Sequence, residues 1–247
     1  MQGDVNDDIC IHMDLKSLQW LTTSGKRCRT EDCEQRGTVV VANGSNPYIE
    51  LRGRITGGRY RPGSTLVPTA VGAELGLSRT PVREALHRLE FDGLVVQVSR
   101  GYRVRERTAE EVLEICDARI ALESAVARSA AVKRTDLDLA RLTRLFDEAG
   151  AAADPADALR LHNAWHGALR DAAHNATITE LMERLDAQLA VYDAEESRAP
   201  SNLEQIEAEH GAILAAVRAG DGERARALMI THQERTRDIR LAAMAAR

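Results

Sequence analysis

Four of the seven histidines in this 247-residue chain are spaced so that their rings could share one ion. His162 and His166 are four residues apart, which on an α-helix puts both on one face about one turn apart. His210 lies ten residues before Gly220, and His232 twelve after it. If the flanking segments form an antiparallel helical hairpin, a rise of about 1.5 Å per residue sets each histidine about 15–18 Å from the turn, at nearly the same level. Four converging imidazoles make a strong nitrogen site for a divalent transition metal, with zinc or nickel the expected occupant. Taken singly, each would more commonly be an ordinary core or rim histidine; the metal reading rests on the set.

A second group has the chemistry to meet nucleic acid. Arg79, Thr80 and Arg83 open a helix that follows Ser78, and Arg100, Gly101, Arg103 and Arg105 belong to a hairpin after it. Arginine can donate two parallel hydrogen bonds to guanine O6 and N7, and threonine can touch phosphate or a thymine methyl. The hairpin arginines suit the phosphate backbone or an adjacent minor groove. Arginines on a helix more often simply solvate it, but here the local charge agrees with the placement. Residues 46–107 hold 11 Lys/Arg against 6 Asp/Glu, while residues 108–247 hold 17 against 25 and residues 1–45 hold 5 against 7, within a net charge of −5. A basic module joined to an acidic one implies that only the first meets phosphate.

The elements that must position these residues can be read from periodicity and punctuation. Tyr48, Leu51 and Ile55 recur at helical spacing up to Gly57-Gly58. A short helix follows Arg61-Pro62-Gly63, and Leu75-Gly76-Leu77 separates it from a longer one capped at Ser78, with Pro81 in its first turn and Val82, Leu86 and Leu89 on one face. Leu94–Val98 and Tyr102–Arg105 read as two strands joined by Ser99-Arg100-Gly101, with Tyr102 and Val104 on one face and Arg103 and Arg105 on the other. Helix, turn, helix and β-wing is the expected order, with the second helix of the pair presented to the major groove. Beyond Arg107 the chain is rich in Ala, Leu, Arg and Glu and divides into six helices near 108–132, 135–150, 155–173, 176–196, 202–219 and 222–244. The expected fold is mainly α: residues 46–107 a winged helix-turn-helix, residues 108–247 an all-helical bundle of about six helices for ligand binding and dimerisation. Residues 1–45 show no period and read as a disordered extension, although Val39–Ala42 has the composition of a short strand.

The stretch SRTPVREALHRLEFDGLV, residues 78–95, resembles the recognition helix of the GntR superfamily of bacterial regulators, and LRGRITGGRYRPGSTL, residues 51–66, is similar to that family's first helix and Pro-Gly turn. LVPTAVGAELG, residues 66–76, departs from the pattern by lacking the Ser-Glu cap of the second helix, which leaves Thr65 or Thr69 to cap it. ALRLHNAWHGALRDAAHNATI, residues 158–178, together with EHGAILAAVRAGDGERARALMITH, residues 209–232, resembles the FCD effector domain of the FadR subfamily. Such domains often hold a metal with one carboxylate or amide and three histidines. On that pattern His166, His210 and His232 take the histidine positions, and His162 stands where Asp is more usual. A neutral ligand in place of an anionic one makes the site more positive and favours an anionic effector. DARIALESAVARSAA, residues 117–131, resembles the opening helix of that domain, and the resemblance makes Arg119 the residue to pair with a small organic acid. Against that, Arg119 and Glu123 are four apart and would serve equally as a helix-surface pair. Asn175 reads as a helix cap and His174 as solvent-facing.

Composition narrows the classes. A hydrophobic fraction of 44% with 29% charged residues is that of a soluble globular protein. No apolar run reaches the roughly 20 residues of a membrane span, and the acidic N-terminus is unlike a secretory signal, so a cytoplasmic location is expected. Cys10, Cys28, Cys33 and Cys116 suggest neither a disulfide framework nor a zinc finger. The sequence therefore points to a non-enzymatic regulator, a repressor and homodimer on a near-palindromic double-stranded operator, governed by a small carboxylate. Two alternatives stand beside it: a regulator for which the ion itself is the signal, and a metalloenzyme fused to a DNA-binding module. Four protein ligands would leave a tetrahedral ion no open position, which argues against the enzyme.

Overall fold

The computed structural model describes residues 46–192 and 199–245. The extension 1–45, with Val39–Ala42 and three of the four cysteines, lies outside them. Helix α1 (Pro47–Thr56) starts with the Asn46 side chain accepting from the Tyr48 amide and proline in its first turn, then buries Leu51 and Ile55. Helices α2 (Pro68–Leu75) and α3 (Arg79–Phe91) form the helix-turn-helix, divided at Gly76, whose left-handed φ of 67° ends α2. Strands β2 (Val95–Val98) and β3 (Gly101–Val104) make the wing, with Val95 opposite Val104 and Val98 opposite Gly101.

Three local expectations are corrected. A two-residue strand, β1 (Thr65–Leu66), pairs with β3 to give the antiparallel order β1-β3-β2. Thr65 is thereby committed to the sheet and Thr69 lies inside α2, so neither caps that helix; its N-cap is Val67, with no side-chain bond. Ser78 holds the N-cap position of α3, but its hydroxyl makes no capping bond. Gly101 is required where β1 meets the wing. Its φ is +117°, and a Cβ there would stand 2.5 Å from the Leu66 carbonyl oxygen.

The helical region comprises α4 (Ala109–Lys133), α5 (Asp136–Gly150), α6 (Pro155–Ala172), α7 (Ala176–Ala190), α8 (Pro200–Ala219) and α9 (Gly222–Ala245). Their starts follow from side chains: capping boxes at Thr108/Glu111 and Thr135/Asp138, Asp154 before Pro155, and Asn175, whose Oδ1 accepts from the Ile178 amide. His174 is exposed, as expected, and faces Asp138. Helices α8 and α9 form a hairpin about Gly220, φ +77°. A core that includes Val126, Leu142, Trp165, Leu169, Ile213 and Met229 joins α4, α5, α6, α8 and α9. A second core, of Leu51, Ile55, Leu66, Val82, Leu86, Leu89, Tyr102 and Val104, fills the winged region, and it includes Ala187 from α7. No helix among the described residues is long and apolar enough to cross a membrane.

Candidate metal centre and nucleic-acid interface

The hairpin of α8 and α9 brings His210 and His232 level with each other and against α6. The Nε2 atoms of His166, His210 and His232 lie 3.2, 3.3 and 3.4 Å apart in pairs. Zinc–nitrogen bonds of about 2.0–2.1 Å at tetrahedral angles require nitrogens about 3.3–3.4 Å apart, so this triangle has the size of one face of such a site. Its donors also have the right protonation chemistry. Burial, and after it the neighbouring positive charges, push His166 and His210 far below the usual imidazole range, which keeps their lone pairs available. The His232 Nδ1 lies 2.6 Å from Glu209 Oε2. A carboxylate only accepts, so the proton sits on Nδ1 and the lone pair of a neutral His232 sits on Nε2, facing the other two rings. Partial burial of Glu209 would by itself raise its pKa, yet hydrogen bonds from His232, Arg235 and Gln205 hold it down at about 2. Trp165 stacks on His210 with ring centres 4.3 Å apart and fixes that ring.

His162 is in the same place without joining the triangle. Its ring meets His210 edge-on at 5.1 Å and is buried, and burial, followed by the charge of His232, lowers its pKa. The nitrogens that converge to within 4.8 Å of one another are those of the other three histidines. An ion held by three nitrogens keeps a position for a further donor. That removes the argument that a full ligand set would close the site.

All four histidines line a cavity of about 280 Å³ together with Arg119, Arg170, Asp186 and Arg240. Arg119 is therefore not half of a surface pair. Its Nη2 lies 3.7 Å from Glu123 Oε1, but Glu123 is fully buried, and its Nε lies 3.2 Å from Asp186 Oδ1. Arg170 joins the same group: its Nη1 donates to Asp186 Oδ2 at 2.5 Å, and its Nε and Nη2 both donate to Glu123. Arg170 and Asp186 had no sequence signal of their own, since their partners lie 16 or more residues away, and the contact of Glu209 with His232 spans 23 residues. Arg119 is marked by the family resemblance, and Glu123 only by its spacing from Arg119.

At the other end, some arginines already have partners among the described residues and others do not. Arg54 and Arg59 pair with Glu74, Arg105 with Glu111, and Arg107 donates to Gln188 and the Gly93 carbonyl. Arg88 stacks over Tyr48. Arg79, Thr80 and Arg83 at the start of α3 and Arg100 and Arg103 on the wing are exposed, and none of these four guanidinium groups has an acidic partner within 4.0 Å among the described residues. Arg105, which the strand pattern grouped with them, is held in a salt bridge of 3.0 Å instead. Gly101 belongs to the wing through its close approach to β1.

Residues 46–104 match the family described as bacterial regulatory proteins, gntR family, and residues 114–235 match the FCD domain. The chain is 30% identical over 208 residues to the HTH-type transcriptional regulator LutR of Bacillus subtilis, covering 75% of this chain and 95% of that one. It is also 30% identical over 197 residues to the HTH-type transcriptional repressor GlaR of Escherichia coli, covering 75% and 90%. Among solved structures, a transcriptional regulator from Rhodococcus sp. RHA1 superposes with a TM-score of 0.62 at 30% identity, covering 79% of this chain and 96% of that one.

Proposed function

The chain belongs to the gntR family of bacterial regulatory proteins and carries an FCD domain, and from that premise we propose that it is a metal-dependent repressor, without enzymatic activity, whose affinity for an operator is set by a small organic acid. The observation that carries the acid reading is the cavity that places three histidine Nε2 atoms, the buried Arg170 and the half-buried Arg119 around one space. His166, His210 and His232 would hold a divalent ion, zinc or nickel, with His162 beside them as the fourth histidine of the cavity. Bound there, the ion would supply a Lewis-acidic positive charge for an oxygen anion. Arg119 would fix the orientation of the acid through a charge-assisted hydrogen bond. The sign of regulation follows the name of the GlaR relative.

On DNA, the N-terminal turn of α3 enters the major groove with Arg79, Thr80 and Arg83 toward the base edges, while Arg100 and Arg103 of the wing meet phosphate or minor groove. Their lack of acidic partners supports this, because a guanidinium already paired must lose that partner before it can bind. Two copies on a two-fold axis would read a near-palindromic operator. The test is elemental analysis of the purified chain together with a thermal-shift screen of organic acids. About one ion per chain and a stabilising acid are expected. Loss of metal with no loss of acid response would remove the ion from the reading, and an operator affinity that changes with metal alone would make the ion the signal.

A further inference from the structure

Helix α7 is shared by the cavity and the winged region, through opposite faces. At about 100° per residue, Asp186, Leu189 and Ala190 lie on one side and line the cavity. Arg184, Ala187 and Gln188 lie on the other. Ala187 is buried in the core of the winged region, the Arg184 Nη2 donates to the Phe91 carbonyl, and Gln188 donates to the Asp92 carbonyl while accepting from Arg107. Arg52 of α1 donates to the Glu183 carbonyl. These contacts seat α7 on α1 and on the C-terminal end of α3.

On its cavity side the polar tie of the helix is Asp186, beside the apolar cluster in which Leu189 joins Val112, Ile115 and Cys116 of α4. Asp186 holds Arg170 and Arg119, and it is the solvent-facing carboxylate of the group: its side chain is 34% exposed, whereas Glu123 is fully buried. The tie to Arg119 is also imperfect. Arg119 Nε and Asp186 Oδ1 are 3.2 Å apart, yet both are buried atoms without a hydrogen-bond partner, because the contact is misaligned. A buried guanidinium hydrogen left without an aligned acceptor is costly, and a free carboxylate that can choose its orientation supplies what the helix-bound one does not.

We infer that Asp186 is a resident carboxylate standing in the acid's place on Arg119, and that an acid entering the cavity exchanges with it, releasing the cavity side of α7 and loosening its seat on the winged region. This rests on the organic-acid reading above and adds the residue through which occupancy reaches the DNA-reading end. The free energy for loosening the seat comes from binding one state of α7 better than the other. Reciprocity then requires that whatever tightens the seat weakens acid binding by the same factor.

The test uses the full chain and acetate as the probe. Asp186→Ala removes the resident carboxylate and leaves room for a small one. Acetate at tens of millimolar, against chloride at equal ionic strength, should raise the melting temperature of this variant, and should not raise that of Asp186→Ala combined with Arg119→Ala. Because acetate is not attached to α7, it should leave the seat loose: deuterium uptake at residues 183–188 and 91–94 should rise in the variant and stay high with acetate. Affinity for an operator fragment selected from random DNA should fall about five-fold or more. No stabilisation by acetate overturns the inference, as does wild-type uptake along the seat, or uptake that acetate restores, which would mean that Asp186 only fills space. Should Asp186→Ala fail to fold, the nearly isosteric Asp186→Asn gives the same uptake and operator readings. If the wild-type chain responds to no acid in the screen while Asp186→Ala takes up acetate, the effector reading fails and the arginine subsite stands. If acids bind the wild type but Asp186→Ala behaves as wild type along the seat, the role of Asp186 alone fails.

Discussion

At the scale of single residues, the chemistry depends on which polar groups are already satisfied. Arg83 and Arg105 are both arginines of the basic region, but of the two only Arg105 has a carboxylate partner among the described residues. Arg83→Ala, and likewise Arg79→Ala, should weaken operator binding by about 1–3 kcal/mol where a bidentate base contact is lost, read by fluorescence anisotropy. Unchanged affinity would refute their assignment. Glu209 offers a second comparison. His166→Ala should abolish stoichiometric metal, whereas Glu209→Gln should keep one ion per chain and weaken its binding about 10–100-fold; a variant that binds as tightly as wild type would show that Glu209 does not tune His232. The carboxylate of Glu209 is held at about 2, below its ordinary value of 4.5. A depressed pKa in the folded chain means that its stabilising contribution is complete above the ordinary value and is lost as pH falls toward 2. The melting-temperature difference between wild type and Glu209→Gln should accordingly be constant above about pH 5.5 and shrink below about pH 4.5. A difference that instead grew with acidification would contradict that sign.

At the scale of elements, helix boundaries were largely legible because side chains encode them locally. Thr108, Thr135, Asp154 and Asn175 each satisfy an orphan amide a few residues on, and Gly220 supplies the left-handed cap between α8 and α9. Offsets of ten and twelve residues from that cap were enough to place His210 opposite His232. Strand β1 escaped because two residues carry no period; it exists only through pairing with β3, some 37 residues away. The same holds for the charge group of Glu123, Arg170 and Asp186, which three different helices assemble. Gly101 shows how strongly the β1 pairing constrains the wing. Gly101→Ala should cost about 1–3 kcal/mol through its positive φ, with a further penalty from the approach to the Leu66 carbonyl, measured by thermal denaturation. A variant as stable as wild type would mean that the β1 contact moves aside freely.

At the scale of the whole molecule, opposite charges are divided between two ends that share a helix. Residues 46–107 carry the excess of positive charge and residues 108–247 the excess of negative charge. DNA binding should therefore fall steeply with salt, by about 0.9 in log affinity per decade for each phosphate neutralised. Replacing Arg100 and Arg103 together by Ala should flatten that slope by about 2 if each meets a phosphate, and an unchanged slope would remove the wing from the phosphate backbone.

Ala187 gives the shared helix a meaning in time as well as in space. The winged region needs this residue to complete its core, yet it is synthesised about 80 residues after the last strand of the wing. At about 5–20 residues per second, the ribosome reaches it roughly 4–16 seconds after the wing has been made. A chain cut short before α7 would lack Ala187 in the winged core and should bind an operator fragment more weakly than the full chain. The order of synthesis thus completes the winged core with α7 before α8 and α9, which carry His210 and His232, have been made.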